Sequence, residues 1–445
     1  MTLHAKKIFF LTIFAAIICT FLFLNRNFSV FISLTVLSTV LFSVLYLTIY
    51  NDYTLLFASL LIANHFLGQQ GHVIARYTIL ATVIFVIPLI FYLKKPPNIT
   101  PTIVSICCFV VYYSAVMILR PYSISTNWFL VHLESLLLFI ICQFLNWDLF
   151  KIKKVLFIHL AILLLYSIPE LILYSKDRIE GPMLSATAYG VIITLIWATW
   201  FSMEMFNCKP SKTRLIAVTV ATLFVITATG TRMGYVGVFI TAVSLLLIRT
   251  YLLNKNVFIR ILKIAASFLI FLSVMTFVWV VLPDDLVIKQ NFSGMLQGEI
   301  DASNLGRLFV WYTGLQAFLH NPVLGVGSGN FFDFITVFYG TSNIYRFVHA
   351  HNVSIILLSE LGLIGFLSFF LIISMAVFSL IKYLRTPGRS EEGFGLLIGF
   401  IVMVCLSFFD AIPYFPSTQL WGVWFISVLC KMAYNKPKQV NHSHG

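Results

Sequence analysis

The chain has 445 residues, of which 60% are hydrophobic and only 10% are charged, and its formal net charge is +13. Soluble domains carry about 25% charged residues, so this composition excludes an ordinary soluble protein. The basic excess does not indicate a nucleic-acid-binding protein, because most of the basic residues stand in short segments between apolar runs.

Apolar runs of roughly 20 residues, the length that a helix needs to cross a membrane, recur along the whole chain. They predict an all-α polytopic membrane protein with about 12 to 14 transmembrane helices. In chain order the predicted spans cover 8–24, 28–50, 53–67, 77–93, 102–119, 128–146, 152–174, 184–206, 212–229, 232–251, 259–282, 363–383, 394–411 and 418–434. We interpret residues 1–445 as a single integral membrane domain that ends in a disordered cytoplasmic tail at 436–445.

The distribution of basic residues predicts that both termini lie in the cytoplasm. Counting spans from a cytoplasmic N-terminus places 20 of the 29 Lys and Arg residues inside, in agreement with the positive-inside rule. Seven of the nine outer basic residues are Arg, whereas most of the inner ones are Lys. Arg grips phosphate with a planar fork of donors, so the outer set suits a phosphorylated ligand. The alternative is that these Arg residues only anchor helices at the membrane interface.

One connection, residues 283–348, is much longer than the others and is predicted to lie on the extracytoplasmic side. A loop of this length is usually functional or disordered. Its apolar side chains at helical spacing are Leu308, Trp311, Leu315, Phe318 and Leu319. This stripe predicts an amphipathic helix that lies on the membrane surface or caps a cavity.

The same loop contains two short motifs, one rich in glycine and one acidic. Gly325-Val-Gly327-Ser-Gly329 is interpreted as a flexible turn, the alternative being a phosphate cradle made of backbone amides. The adjacent pair Asp284-Asp285 is interpreted as a solvated turn and not as a metal-binding motif. We therefore expect no metal and no cofactor.

The segment that follows the loop places two imidazoles, His349 and His351, at a predicted membrane boundary. His351 is expected at the start of a helix, where the positive end of the helix dipole disfavours imidazolium and keeps a neutral ring available as a base. The alternative for His351 is an interfacial side chain that is hydrogen-bonded to the backbone.

Two Arg residues are candidates for holding a diphosphate. Arg232 stands at an outer junction between two spans, and Arg307 opens the amphipathic helix of the long loop. A diphosphate between two guanidiniums gains charge-assisted hydrogen bonds and leaves more readily as its charge develops. Each Arg taken alone is also compatible with a membrane anchor or with an ion pair to Asp301 or Glu299.

These segments resemble the O-antigen ligase and polymerase superfamily of bacterial envelope glycosyltransferases. His351-Asn352 followed by Gly362 and Gly365 is similar to the ligase pattern of His, a small polar residue and spaced glycines. The similarity covers about residues 170–430. The further segments that match are Arg232 after a Thr-rich turn, Arg307 at the start of its helix, Asp177-Arg178-Ile179 and residues 185–190.

The resemblance implies a GT-C-like enzyme of the bacterial inner membrane with a periplasmic active site. It implies a metal-independent, inverting transfer of a glycan from undecaprenyl diphosphate to a sugar hydroxyl of lipid A-core. His351 is then the catalytic base. The residues expected to bind substrate are Arg232, Arg307, Arg346, His349, Asn352 and Arg178. The expected partners are this donor, this acceptor and membrane lipids, with no nucleic acid.

Two other functions fit parts of the sequence. An O-antigen polymerase of the same superfamily shares the spaced glycines and a His-Asn-like motif. A transporter or flippase of lipid-linked glycans is the second alternative, and such proteins place ionisable groups near the middle of the membrane. Few ionisable residues stand in the predicted spans here, while Arg and His cluster at the outer boundary, so the sequence favours a transferase.

Overall fold

The computed structural model describes residues 101–119, 139, 149–173, 179, 186–207, 209–253, 302–339, 350–385, 391–409, 422 and 424–429. These residues are almost entirely helical, and no strand occurs among them. Five of the described helices are long and apolar enough to cross a membrane. The prediction of an all-α polytopic membrane protein is therefore confirmed. The spans predicted before residue 101, at 259–282 and, apart from Phe139, at 128–146 lie outside the described residues.

The described helices are, in chain order, α1 (Pro101–Leu119), α2 (Leu149–Leu173), α3 (Ala186–Met205), α4 (Lys212–Thr229), α5 (Arg232–Leu253), α6 (Ala302–His320), α7 (Phe331–Tyr339), α8 (Val353–Arg385) and α9 (Gly393–Ser407). Residues 424–429 are also helical. The bounds of α1 to α5 agree with the predicted spans to within three residues. Helix α9 ends four residues before the predicted span 394–411, and α8 begins ten residues before the predicted span 363–383.

Helix α8 consists of two segments separated by a break at Gly362, and only the second segment was predicted from the sequence. Gly362 has φ 64 and ψ −167, which are not helical values, so a short upper segment at 353–361 precedes the long lower one. The upper segment carries Ser354, Ser359 and Glu360, and these polar residues hide it from a search for uniformly apolar runs. Hydropathy therefore detected only the part of the helix below the break.

Helix α3 is the centre of the larger core and packs against α2, α4, α5 and α9. Most of its residues are buried, including Trp200. Glycines of the neighbouring helices allow the close approach. A Cβ at Gly399 would overlap Thr199, and one at Gly395 would overlap the backbone of Met203. A polytopic protein uses small residues in this way because packing, not burial from water, drives helix association in lipid.

A second core joins α1, α6, α7 and the upper part of α8. Its buried residues include Tyr113 of α1, Val310 of α6 and Ile356 of α8. The lower part of α8 contributes to the larger core through Ile372 and Ala376. Helix α8 thus connects the two cores.

One end of the larger core carries a charge cluster around the buried carboxylate of Glu204. Glu204, at the end of α3, accepts a hydrogen bond from Arg214 of α4 and lies 3.4 Å from Nζ of Lys153 of α2. Lys153 also forms an ion pair with Glu392, just before α9, at 2.6 Å. Nearby, Arg249 of α5 donates to the carbonyl of Met205. All three of these basic residues belong to the set predicted to be cytoplasmic.

Candidate active site

The turn between α4 and α5 positions Arg232, the first residue of α5. Gly230 ends α4 with a left-handed backbone at φ 59, and its amide donates to the carbonyl of Thr227. The hydroxyl of Thr231 donates to the carbonyl of Ala186 at 2.8 Å, which ties the turn to the start of α3. The Thr-rich sequence before Arg232 therefore forms a rigid, buried turn.

Gly190 explains why the stretch at 185–190 accompanies this turn. A Cβ at Gly190 would lie 2.8 Å from the hydroxyl of Thr229 and 2.9 Å from Cβ of Thr231. Only glycine lets the first turn of α3 approach the threonines so closely. Two segments that the sequence analysis grouped by resemblance are thus in direct contact.

His351 lies immediately before the start of α8, as predicted. Its φ of 46 makes it the one non-glycine residue in the described part of the chain with a left-handed backbone. The side chain is half-buried, and the preceding Ala350 is fully buried. His351 therefore stands outside the helical backbone of α8, which begins at Val353.

Asn352, the residue after His351, caps α8. Its Oδ1 accepts hydrogen bonds from the amides of Ser354 at 2.9 Å and Ile355 at 3.2 Å, as an N-cap residue does. Its Nδ2 donates to the carbonyl of Phe408 at 2.8 Å, beyond the end of α9. The amide group therefore joins the start of α8 to the end of α9, and a contact of Asn352 with substrate remains a prediction.

Helix packing brings Arg232 to the same end as His351. Gly237 of α5 faces Leu406 of α9, and a Cβ at Gly237 would lie 3.3 Å from that side chain. Leu406 stands two residues before Phe408, the partner of Asn352. Arg232 precedes Gly237 by five residues, about 7 Å of helix. It is half-buried at the end of the core opposite the Glu204 cluster.

Arg307 is brought to this end by the contact of α6 with α8. Gly314 of α6 abuts Ile355, one turn below His351. Arg307 lies two turns before Gly314 on the same face, about 10 Å higher along α6. The half-buried Arg307 is therefore placed beside the start of α8. The packing of α5, α6, α8 and α9 thus places Arg232, Arg307 and the His351-Asn352 pair at the same end of the described helices.

The remaining predicted site residues, Arg178, Arg346 and His349, lie outside the described residues. Ile179, which follows Arg178 in the sequence, is described, and its amide donates to the carbonyl of Ala228 at 3.1 Å. That carbonyl is near the end of α4, just before the turn that precedes Arg232. Roles for Arg178, Arg346 and His349 stay predictions.

The residues between α6 and α7, 321–330, form a packed loop that we call the glycine loop. The amide of Val326 donates to the carbonyl of Ser359 at 2.8 Å, and that of Gly327 to the carbonyl of Glu360 at 3.0 Å. A Cβ at Gly325 would overlap the backbone of Glu360. The loop is therefore docked on the break in α8, which corrects its interpretation as a flexible turn.

The alternative of a phosphate cradle is also not supported, because the loop amides have other partners. Gly325 donates to the carbonyl of Asn321, Asn330 donates to that of Gly327, and Gly329 donates to the carboxylate of Glu360 at 3.0 Å. With Val326 and Gly327 bonded to α8, little donor capacity is left for a phosphate.

Glu360 is a buried residue to which the sequence analysis gave no role. Besides Gly329, its neighbourhood contains Ser328, whose hydroxyl forms a hydrogen bond with the hydroxyl of Tyr113 of α1. All three side chains are buried. The sequence did contain a signal for this role, because Glu360 is a carboxylate inside an otherwise apolar run. In a membrane helix such a residue usually has a polar partner within the protein.

These features define a multi-pass membrane protein with Arg232, Arg307 and His351 at one end of its described helices. Residues 217–370, about a third of the chain, match the family model described as O-antigen ligase. The predicted resemblance to the O-antigen ligase and polymerase superfamily is confirmed over this segment, which is shorter than the predicted range. A lipid-linked glycan is the class of substrate that the family and the membrane helices imply. A search of curated proteins found no match.

Proposed function

We propose that the protein transfers a glycan from undecaprenyl diphosphate to a sugar hydroxyl of lipid A-core, on the periplasmic side of the inner membrane. The observation that carries this proposal is the placement of Arg232, Arg307 and His351 at one end of the helix bundle. Each comes from a different helix or helix start, and all lie within the segment similar to O-antigen ligases. The periplasmic assignment depends on the predicted topology.

The proposed reaction needs a base and a stabilised leaving group. The acceptor hydroxyl oxygen attacks C1 of the donor sugar from the face opposite the diphosphate, so the configuration at C1 inverts. The bond between C1 and the diphosphate oxygen breaks, and its electron pair leaves with undecaprenyl diphosphate. The hydroxyl proton passes to the imidazole of His351. A positioned base of this kind typically contributes about 10²- to 10⁴-fold in rate.

Arg232 and Arg307 are proposed to hold the diphosphate. Their guanidiniums offer forked donors that match phosphate oxygens. They neutralise the negative charge that grows on the leaving group, so the proposed reaction does not require a metal. The Thr231 turn positions the backbone of Arg232, and the contact between Gly314 and Ile355 positions the helix that carries Arg307.

The buried Glu204 does not support the transporter alternative. It lies at the end of α3 and is paired with Arg214 and Lys153, whereas a translocation pathway places its ionisable groups near the middle of the membrane. This pairing favours a structural role for the carboxylate. A polymerase remains the competing enzyme, because the same base and diphosphate contacts serve an acceptor that is itself lipid-linked.

A deletion strain separates ligase from polymerase. We expect loss of glycan-capped lipopolysaccharide while long glycan chains still accumulate on the lipid carrier. Capping with a single repeat unit would instead identify a polymerase. Transfer by the purified protein, given a lipid-diphosphate donor and a lipid A-core acceptor, is the direct test, and no transfer with a folded protein would contradict the proposal.

A further inference from the structure

Helices α6 and α8 run side by side in the same direction. Gly314 of α6 abuts Ile355, and eight residues further along each chain segment the carbonyl of Pro322 accepts a hydrogen bond from the amide of Leu363 at 2.8 Å. The Pro322 contact lies ten residues, about 15 Å, along α8 from its start. From the end that carries His351, α6 therefore descends beside a membrane-spanning helix.

The glycine loop, which follows α6, lies beside the middle of the apolar helix α1. The hydroxyl of Tyr112 of α1 donates to the carbonyl of Leu361 at 2.6 Å and lies 3.3 Å from the carbonyl of Val323 in the glycine loop. Tyr112 stands about 10 Å from the end of α1, and the remaining turns of α1 still expose Ile118 and Leu119. The apolar surface of α1 thus continues from the level of the glycine loop toward the end that carries His351.

Helix α6 presents an apolar face on the side away from α8. We call it the leucine face, and its residues are Leu305, Leu308, Tyr312, Leu315 and Leu319. Each of them is between 46% and 65% exposed. Its opposite face is buried and consists of Gly306, Val310, Thr313, Gly314 and Ala317. The leucine face runs the length of the helix and joins the exposed Val323, which follows the Pro322 that bonds to Leu363.

We propose that α6, the glycine loop and α7 form a re-entrant hairpin, which enters the membrane from the His351 end and places the leucine face against lipid acyl chains. Because α8 begins at the entry end, the chain returns to that end after the loop. Leu363, the partner of Pro322, is itself exposed on a membrane-spanning helix, so the leucine face continues an existing lipid-facing surface. This inference concerns membrane placement and does not depend on the proposed reaction.

The hydrogen bonds of the loop suit this environment. Irregular backbone at membrane depth is tolerated only where its polar groups are satisfied within the protein. The break at Gly362 releases the carbonyls of Ser359, Glu360 and Leu361, and these accept bonds from Val326, Gly327 and Tyr112. Backbone amides of the glycine loop and the hydroxyl of Tyr112 thus provide hydrogen-bond donors for the carbonyls at the break in α8.

Two polar side chains near the tip contact other residues of the hairpin. The ring of His320, an exposed residue, packs 5.8 Å from that of Phe334, centroid to centroid. The side-chain amide of Asn330 donates to the carbonyl of Val326 at 3.1 Å. The hydrogen bond lowers the cost of placing the amide nitrogen of Asn330 at this depth.

Site-directed spin labelling in vesicles tests the proposal. Single nitroxides are placed at Leu308, Leu315 and Leu319 of α6, in a protein whose seven native cysteines are replaced and whose thermal unfolding is unchanged. Collision rates are measured with oxygen, which concentrates in the bilayer centre, and with a water-soluble nickel chelate. We expect the oxygen-to-nickel ratio to rise from Leu308 to Leu319. Matched labels at Leu363 and Phe378 of α8 calibrate depth.

Each other outcome overturns the proposal. An equal ratio at the three positions means that α6 lies flat on the membrane surface, and high nickel collision rates mean that it stands in water. Low collision rates with both reagents mean that another part of the chain covers the leucine face. Spin–spin broadening that vanishes on dilution with unlabelled protein means that a second copy covers it.

Discussion

His351 combines a candidate base with an uncommon backbone conformation. A left-handed φ costs a non-glycine residue about 1–2 kcal/mol, although His tolerates it better than a branched residue does. The three side-chain hydrogen bonds of Asn352 and the burial of Ala350 maintain it. Backbone strain of this kind concentrates at functional sites, where it fixes the direction of a side chain.

The first prediction uses this backbone. Gly adopts φ 46 without strain, so His351→Gly should fold and leave a cavity the size of the missing ring. Transfer should fall about 10²- to 10⁴-fold, the usual contribution of a positioned base, and added imidazole should restore part of it. Transfer by the purified variant is measured across imidazole concentrations, with thermal unfolding as the check on folding.

The control for this prediction is His351→Asn, because Asn also tolerates a left-handed backbone but fills the cavity. It should be inactive and should not respond to imidazole. Near-normal turnover in His351→Gly, or a larger loss in His349→Ala, would move the base to another residue.

The second prediction concerns the two Arg residues. Arg232→Lys and Arg307→Lys keep the charge but lose the fork, so we expect each to reduce kcat/KM for the donor at least tenfold, about 1.4 kcal/mol. Arg249→Lys is the matched control, because Arg249 bonds to Met205 at the opposite end of the core and should tolerate the change. If Arg232→Lys and Arg307→Lys were as active as Arg249→Lys, the two Arg residues would be membrane anchors and not diphosphate ligands.

At the scale of elements, the contact of α6 with α8 sets the height of Arg307 relative to His351. The third prediction is that Gly314→Ala impairs transfer, because the added methyl overlaps Cγ2 of Ile355. Overpacking of this kind costs roughly 1–3 kcal/mol and here also pushes α6 away from α8. The loss should appear in thermal unfolding and in the KM of the donor.

The double variant Gly314→Ala/Ile355→Ala tests the cause of that loss. Removing the side chain that meets the new methyl should restore most of the donor KM. If the double variant is no better than the sum of the single ones, the contact is not what positions Arg307.

The long helices could be predicted from the sequence, whereas the break in α8 and its partner could not. Hydropathy locates α2 to α5 because each is a continuous apolar run, and charge punctuation marks their ends. The docking of the glycine loop on Gly362 joins residues more than 30 positions apart, and no local pattern contains that pairing. Glu360 was visible as a carboxylate in an apolar run, but its bond to Gly329 was not.

At the scale of the whole molecule, the helices sort charged residues onto two ends. Lys153, Arg214 and Arg249 surround the end of α3, while Arg232 and His351 lie at the other end. Alternating the predicted spans gave this same separation from the sequence alone. Which end faces the cytoplasm follows from the positive-inside rule and stays a prediction.

The fourth prediction tests that orientation. A single cysteine at Gly298, in the loop predicted to be periplasmic, should react with a membrane-impermeant thiol reagent in intact spheroplasts. A cysteine at Ser211, the exposed residue before α4, should react only after the membrane is opened. The reverse pattern would invert the protein and move the Arg and His residues to the cytoplasm.

The break at Gly362 has a consequence for how the protein is made. Three backbone carbonyls released by the break need partners as soon as α8 leaves water, since lipid offers none. Their partners in Tyr112 and the glycine loop precede α8 in the sequence, so the ribosome has already synthesised them when α8 emerges. Because of this chain order, the donors are synthesised before the carbonyls to which they bond.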